Sequence, residues 1–151
     1  KCRPRSRRLV AASARRTLEE LVEFAKETKT NGQPLSKDPT VRNRLADMAI
    51  EIEVSRMISY NIAWMQSQGM VPNKEASICK SFSTEMQQRL AETGMRMLGL
   101  YGQLAPGSKW APMQGRIERS FLSSHSATLA SGTSEIQRNI IATRGLGLPR
   151  S

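Results

Sequence analysis

The chain has 151 residues, 38% hydrophobic and 24% charged, enough for one domain burying roughly two-thirds of its unfolded surface, so a second full domain and wholesale disorder are both excluded. A net charge of +10 would ordinarily raise nucleic acid as a partner, but seven of the 23 basic residues fall within the first sixteen positions, leaving sixteen against thirteen acids beyond them. A nearly balanced body argues against nucleic acid, and no apolar run reaches the ~20 residues of a membrane span.

Aromatic residues at 5%, eight Met and many Ala, Leu, Glu, Arg and Gln favour helix over sheet, so an all-α domain is expected. The acid-free residues 1–8 read as a basic tail or linker, and 9–150 as the folded part. A first helix is expected from about Leu9 to Lys29, with Leu18, Leu21, Val22 and Ala25 inward and Glu19, Glu20, Glu23 and Glu27 outward. Asn31-Gly32 stops it. Asp38 as N-cap and Pro39 at the first helical position then open a second helix running to Gln68, about 45 Å long. Its Val41, Leu45, Met48, Ala49 and Ile52 make one apolar stripe, which Met57, Ile58, Ile62, Ala63 and Met65 widen.

Pro72-Asn73 begins a third helix, carrying Ile78, Phe82, Met86, Leu90 and Met97 as far as Gly99. A Gly- and Pro-rich loop from Gly102 to Pro112 leads to a fourth, about Met113 to Ala130, with Ile117, Phe121, Leu122, His125 and Leu129 on one side. Ser134 to Gln137 reads as an S-x-x-Q capping box opening a last short helix to about Arg144. Long helices on short loops pack as antiparallel neighbours, so the expected architecture is an up-and-down four-helix bundle with a short extra C-terminal helix.

Few residues outside the C-terminal stretch invite chemistry. Cys2 and Cys79 form no CxxC and have no histidine at ligand spacing, so neither a metal site nor a disulfide framework is expected, and such sparse usage fits a cytoplasmic protein. His125 stands among Ser123, Ser124 and Ser126 without a nearby acid to orient it, and reads as a core or interface residue rather than half of a Ser–His pair. Trp64, Trp110 and the Met stripe read as packing.

Residues 131–150 differ. Ser131-Gly132-Thr133-Ser134-Glu135-Ile136-Gln137-Arg138-Asn139-Ile140-Ile141-Ala142, followed by Arg144-Gly145-Leu146-Gly147-Leu148-Pro149-Arg150, resembles the C-terminal signature of the acyl-CoA dehydrogenase family, G-T-S-E-I-Q-R-N-I-I-A then R-x-L-G-L-P-R. The likeness extends through Ala14-Arg15-Arg16-Thr17-Leu18-Glu19-Glu20-Leu21, Val41-Arg42, Arg44-Leu45-Ala46 and Leu98-Gly99-Leu100-Tyr101-Gly102, covering about residues 9–150. The resemblance implies the C-terminal bundle of a flavoenzyme that takes the α-proton of an acyl-CoA with a carboxylate while FAD takes the β-hydrogen as hydride. It further implies assembly as a homo- or hetero-oligomer, dimer or tetramer, and an electron-transfer partner. Without the family's other two domains the segment is expected to be inactive alone, and to self-associate through the outer faces of its first three helices.

Carried over residue by residue, the resemblance gives Gly132, Thr133 and Glu135 as flavin contacts. Two further segments are only partly kept. Thr28-Lys29-Thr30-Asn31-Gly32 stands where the family has R-K-T-F-G, and Arg96-Met97-Leu98-Gly99-Leu100-Tyr101-Gly102 where it has Q-x-x-G-G-x-G, leaving Arg96 and Gly99 as cofactor candidates. Ser131 occupies the usual position of the catalytic base and a hydroxyl cannot fill that role unaided, so no catalytic residue is assigned within the chain. Glu118, thirteen residues earlier on the same helix, lies about 20 Å away. The alternative reading is a non-catalytic helical assembly subunit of the same family that needs an active partner.

Overall fold

Asp38 accepts hydrogen bonds from the amides of Thr40 and Val41 at 2.7 and 3.4 Å, and Pro39 takes the first helical position where no donor is needed. The longest helix therefore starts where the sequence places it. The computed structural model describes residues 4–149, with side chains from Val10 onward. In chain order these are α1 (Pro4–Glu27), a two-residue hairpin of β1 (Lys29–Thr30) and β2 (Gln33–Pro34), a 3-10 turn Leu35–Lys37, α2 (Pro39–Ser67), α3 (Asn73–Leu98), 3-10 turns Gly99–Gln103 and Pro112–Gly115, α4 (Arg116–Leu129), α5 (Ser134–Ile140) and a π-helical turn Ile141–Gly145. Lys29 pairs with Pro34 and Thr30 with Gln33, in antiparallel register. No described helix is long and apolar enough to cross a membrane.

Helix α1 begins at Pro4 rather than Leu9, so the backbone of 4–8, read above as tail, continues the helix, while residues 1–3 lie outside the described residues. At its other end it stops at Glu27, and Lys29 leaves for the hairpin instead of closing the helix. Asn31 and Gly32, both left-handed at φ 52° and 79°, make the hairpin turn.

The core draws Ala14, Leu18 and Leu21 from α1, Met48 and Ile52 from α2, Met86, Leu90 and Leu98 from α3, and Ile117 from α4. Gly94 lets α3 and α4 approach, since a Cβ there would lie 2.9 Å from Ile117 Cγ2. The inward side of α2 is Met48, Ile52, Ser55, Ser59 and Ile62, not the widened apolar stripe, and Met57 points to solvent. Small hydroxyls fill the seam between α2 and α3. Ser55 and Ser83 share a 2.9 Å hydrogen bond, Ser59 donates to the Ser55 carbonyl at 2.9 Å, and the buried Cys79 Sγ sits 3.7 Å from Ser59 Oγ and 3.8 Å from Ser83 Oγ. Bonded to one another, these groups avoid the cost of burying a lone hydroxyl.

Ion pairs also tie the helices laterally. Arg89 on α3 grips Glu51 of α2 with two nitrogens, the shortest contact being 2.6 Å. Arg116, at the start of α4, donates to both oxygens of Glu20 on α1. Burial pushes the Glu20 carboxyl up, but the guanidinium groups of Arg116 and Arg16 outweigh it and hold the group below its ordinary value. Glu20 is thus an inter-helix residue, not a plain outward acid.

Helix α4 turns Ile117 and Ser124 inward, which leaves Leu122, His125 and Leu129 exposed, against the single apolar face expected. His125 lies outside the core, its Nδ1 2.9 Å from the Phe121 carbonyl and its ring edge-on to Phe121. Trp64 and Trp110 are exposed too, and the Lys109 ammonium lies over the Trp110 ring. Helical spacing identified amphipathic helices here without telling which flank each neighbour covers.

Candidate functional site

Helix α4 ends when the Ala130 amide makes its last bond to the Ser126 carbonyl, after which Ser131 and Gly132 are both left-handed at φ 58° and 93°. A serine in that region is uncommon, and the next residues show what holds it. Gln137 Nε2 donates to the Ser131 carbonyl at 3.4 Å, and a Cβ on Gly132 would meet the same Nε2 at 2.7 Å. The turn is pinned from the first turn of α5, and glycine leaves room for the pin.

The cap of α5 is Thr133, whose hydroxyl accepts from the Ile136 amide at 3.4 Å, and not Ser134 as the S-x-x-Q spacing predicts. The left-handed pair starts the helix one residue sooner, so Ser134 is already helical and its buried hydroxyl is the one buried side-chain polar atom among the described residues without a partner. Gln137 correspondingly reaches Ser131 rather than the cap amide. The Thr133 hydroxyl hydrogen-bonds the Glu135 carboxylate, which also accepts from its own amide. These two bonds, with Arg138 and Lys80 nearby, hold the Glu135 carboxyl below its ordinary value. Arg138 donates to Glu85 at 2.7 Å, Glu85 accepts from Ser81 at 3.3 Å, and Lys80 donates to the Thr128 carbonyl at 3.1 Å, so α3 anchors the turn on both sides.

Of the residues singled out in the sequence, the structure therefore gathers Ser131, Gly132, Thr133 and Glu135 at one junction. Arg96 and Gly99 stand elsewhere, at the far end of α3, about 16 Å along the axis from Glu85. Arg96 is exposed and has no ion pair among the described residues, and Gly99 ends the helix at φ 57°. Glu118 lies in the first turn of α4, at the opposite end of that helix from exposed Ser131. The anchors Lys80, Glu85 and Gln137 were missed as site residues. Only Gln137 carried a local signal, through the capping pattern.

The chemistry of the two ends differs. At the α5 junction the Thr133 hydroxyl takes the Ile136 amide and the Glu135 carboxylate its own, so this end presents acceptors, suited to hydroxyl or amine groups and less suited to a phosphate. The Arg96 end is cationic and suits a phosphate. FAD carries groups of both kinds, and the residues present fit it on that ground.

A sequence profile described as the acyl-CoA dehydrogenase C-terminal domain matches residues 3–146. The chain belongs to the acyl-CoA dehydrogenase family. It is 33% identical over 134 residues to a probable acyl-CoA dehydrogenase, YngJ, of Bacillus subtilis, covering 89% of this chain and 33% of that protein. It is 34% identical over 139 residues to the acyl-CoA dehydrogenase FadE26 of Mycobacterium tuberculosis, covering 89% and 34%. Among solved structures, the ChsE4–ChsE5 complex from Mycobacterium tuberculosis superposes with a TM-score of 0.85 at 33% identity, covering 93% of this chain and 37% of that one. The chain thus spans about a third of the length of these relatives, and corresponds to the family's C-terminal helical domain.

Proposed function

We propose that this chain is the C-terminal bundle of an FAD-dependent acyl-CoA dehydrogenase, contributing flavin contacts and subunit interface to an oligomer that acts on an acyl-CoA thioester and hands electrons to a separate partner. The observation that carries the reading is the Ser131–Glu135 turn: a left-handed pair, a threonine cap and a self-bonded carboxylate, inside the segment that resembles the family signature. When bound, FAD supplies the acceptor for the β-hydrogen. Thr133 and Glu135 hold hydroxyl or amine groups of the cofactor by accepting hydrogen bonds, and Gly132 keeps side-chain bulk out of the turn. Arg96 and Gly99 meet the cofactor of a neighbouring subunit, where the guanidinium balances phosphate charge. The likeness to a two-component complex supports assembly from more than one subunit.

No residue of this chain is assigned as the base that takes the α-proton. No hydrogen bond joins the Ser131 hydroxyl to a carboxylate among the described residues, and Glu118 is a helix-length away. The test is the absorption spectrum of the full-length protein and its bleaching by a panel of acyl-CoA thioesters. Bound flavin that bleaches supports the reading. A protein purified without flavin, and unable to take it up, contradicts it, and bound flavin without bleaching points to a partner-dependent subunit.

A further inference from the structure

Helices α1, α3 and α4 part around a cavity of about 120 Å³ that the α5 junction does not use. Ser13 and Thr17 of α1, Gln87 of α3, and Ser120, Ser123 and Ser124 of α4 line it with hydroxyls and one amide, and no charged residue lies among its described walls. Ala127 forms the end nearest the α5 junction, in the last turn of α4 and four residues before Ser131. From there the cavity follows α4 back to Ser120, roughly 10 Å at 1.5 Å per residue. Ser120, Ser124 and Ala127 recur at steps of four and three and so share one side of the helix, and Ser131 follows at the next step of four. The cavity therefore leads away from the position at which the family usually carries its base.

The lining groups favour one kind of guest. Ser123 and Ser124 donate their hydroxyl protons to the carbonyls of Ser120 and Phe121, at 3.2 and 2.8 Å, and so keep only their oxygen lone pairs as acceptors for whatever enters. The Gln87 amide, half-buried and with no hydrogen bond among the described residues, adds a donor and an acceptor. A saturated chain end pushed in here would strip water from these groups and return no hydrogen bond. A hydroxyl both donates and accepts, and matches the set. The volume is well below the ~300 Å³ at which pockets for whole small molecules begin, so the cavity suits the end of a chain.

We propose that this cavity takes the far end of the acyl chain and selects chains carrying a hydroxyl group there over saturated hydrocarbon ones. The proposal rests on the acyl-CoA reading for what enters, and equilibrium binding separates the two, because affinity is read with or without turnover. Calorimetry on the full-length protein compares ω-hydroxy acyl-CoA thioesters of increasing length with the saturated thioester of each length, while flavin bleaching by the same compounds tests the acyl-CoA reading itself. The two series should bind alike when short. Once the chain reaches the cavity, the hydroxylated member should bind at least about tenfold tighter. Gln87→Leu with Ser124→Ala should abolish that preference with helix content by circular dichroism unchanged. If that pair unfolds the bundle, Ser120→Ala with Ser123→Ala, both on exposed residues, should lower the preference instead. Ser126→Ala, on the same helix but outside the cavity, should leave it intact. A saturated series that binds as tightly at every length, a preference that survives the cavity variants, or a protein that binds neither series would each overturn the proposal. Preferential binding without bleaching would support the cavity assignment and place turnover with a partner subunit.

Discussion

Between α2 and α3 two long helices meet along a seam bonded across it, by the small hydroxyls of Ser55 and Ser83 and by the Glu51–Arg89 ion pair. Between α4 and α5 the chain reverses within a few residues, and single bonds from Thr133, Gln137 and Arg138 hold the turn. The first contact is distributed over many neighbours, so its loss is a loss of the fold. The second is a set of separate pins, each able to fail alone, which lets a polar cradle be shaped without disturbing the core behind it.

The largest effect expected is in the core. Met86, fully buried among α1, α2 and α4 residues, should cost about 2–5 kcal/mol as Met86→Ala in urea unfolding. A loss below about 1 kcal/mol would remove the claim that this cluster organises the bundle.

Two glycines sharpen the contrast between rigid and yielding positions. At Gly115, φ 72°, a Cβ would lie 2.6 Å from the backbone nitrogen of Pro106, which has nowhere to go. At Gly132, φ 93°, the obstacle is the end of the Gln137 side chain. Gly115→Ala should therefore destabilise by about 2–3 kcal/mol and Gly132→Ala by about 1 kcal/mol. Equal costs would show the junction to be as stiff as the loop before α4.

The pair of Glu20 and Arg116 gives a pH-dependent prediction. Since the folded carboxyl titrates below its ordinary value of 4.5, its stabilisation is complete above that value and is lost as pH falls through the folded one. With both side chains partly exposed, Glu20→Gln should cost about 0.5–1 kcal/mol at pH 7, unchanged down to about pH 5 and closing below pH 4.5. A gap that did not narrow at all as pH fell below 4.5 would mean the residue acts through packing instead.

Smallest is the cap. Thr133→Ala should loosen α5 locally by about 1 kcal/mol, seen as faster amide exchange at Ile136, with the denaturant midpoint of the bundle unmoved. A matching fall in global stability would tie α5 to the core and erase the distinction drawn above.

Helix positions were legible where Asp38-Pro39 and Gly99 act on their own backbone, whereas Asn31-Gly32, expected to stop α1, turns a hairpin beyond its end at Glu27. What each helix buries was less so. Ser55, Ser59, Ser81 and Ser83 look like solvent-facing residues in any apolar pattern, and only the neighbouring helix makes them interior. The same cause hid the exposure of Met57, Leu122 and Trp64. At the junction, Gly132 and Thr133 were readable from the signature, but the displaced cap follows from left-handed Ser131, a non-glycine conformation that no composition rule gives. Lys80 and Glu85 act on the turn from 53 residues or less away in sequence, through bonds that exist only once α3 and α5 are packed.

The most direct test of the central claim is the flavin content of the full-length protein carrying Thr133→Val with Glu135→Ala, compared with wild type and with Lys37→Ala as a control on the exposed turn before α2. If this junction holds the cofactor, the double variant should retain several-fold less flavin while its helix content and the control's flavin stay at wild-type levels. Wild-type flavin content and affinity in the double variant would contradict the assignment of this turn to cofactor binding.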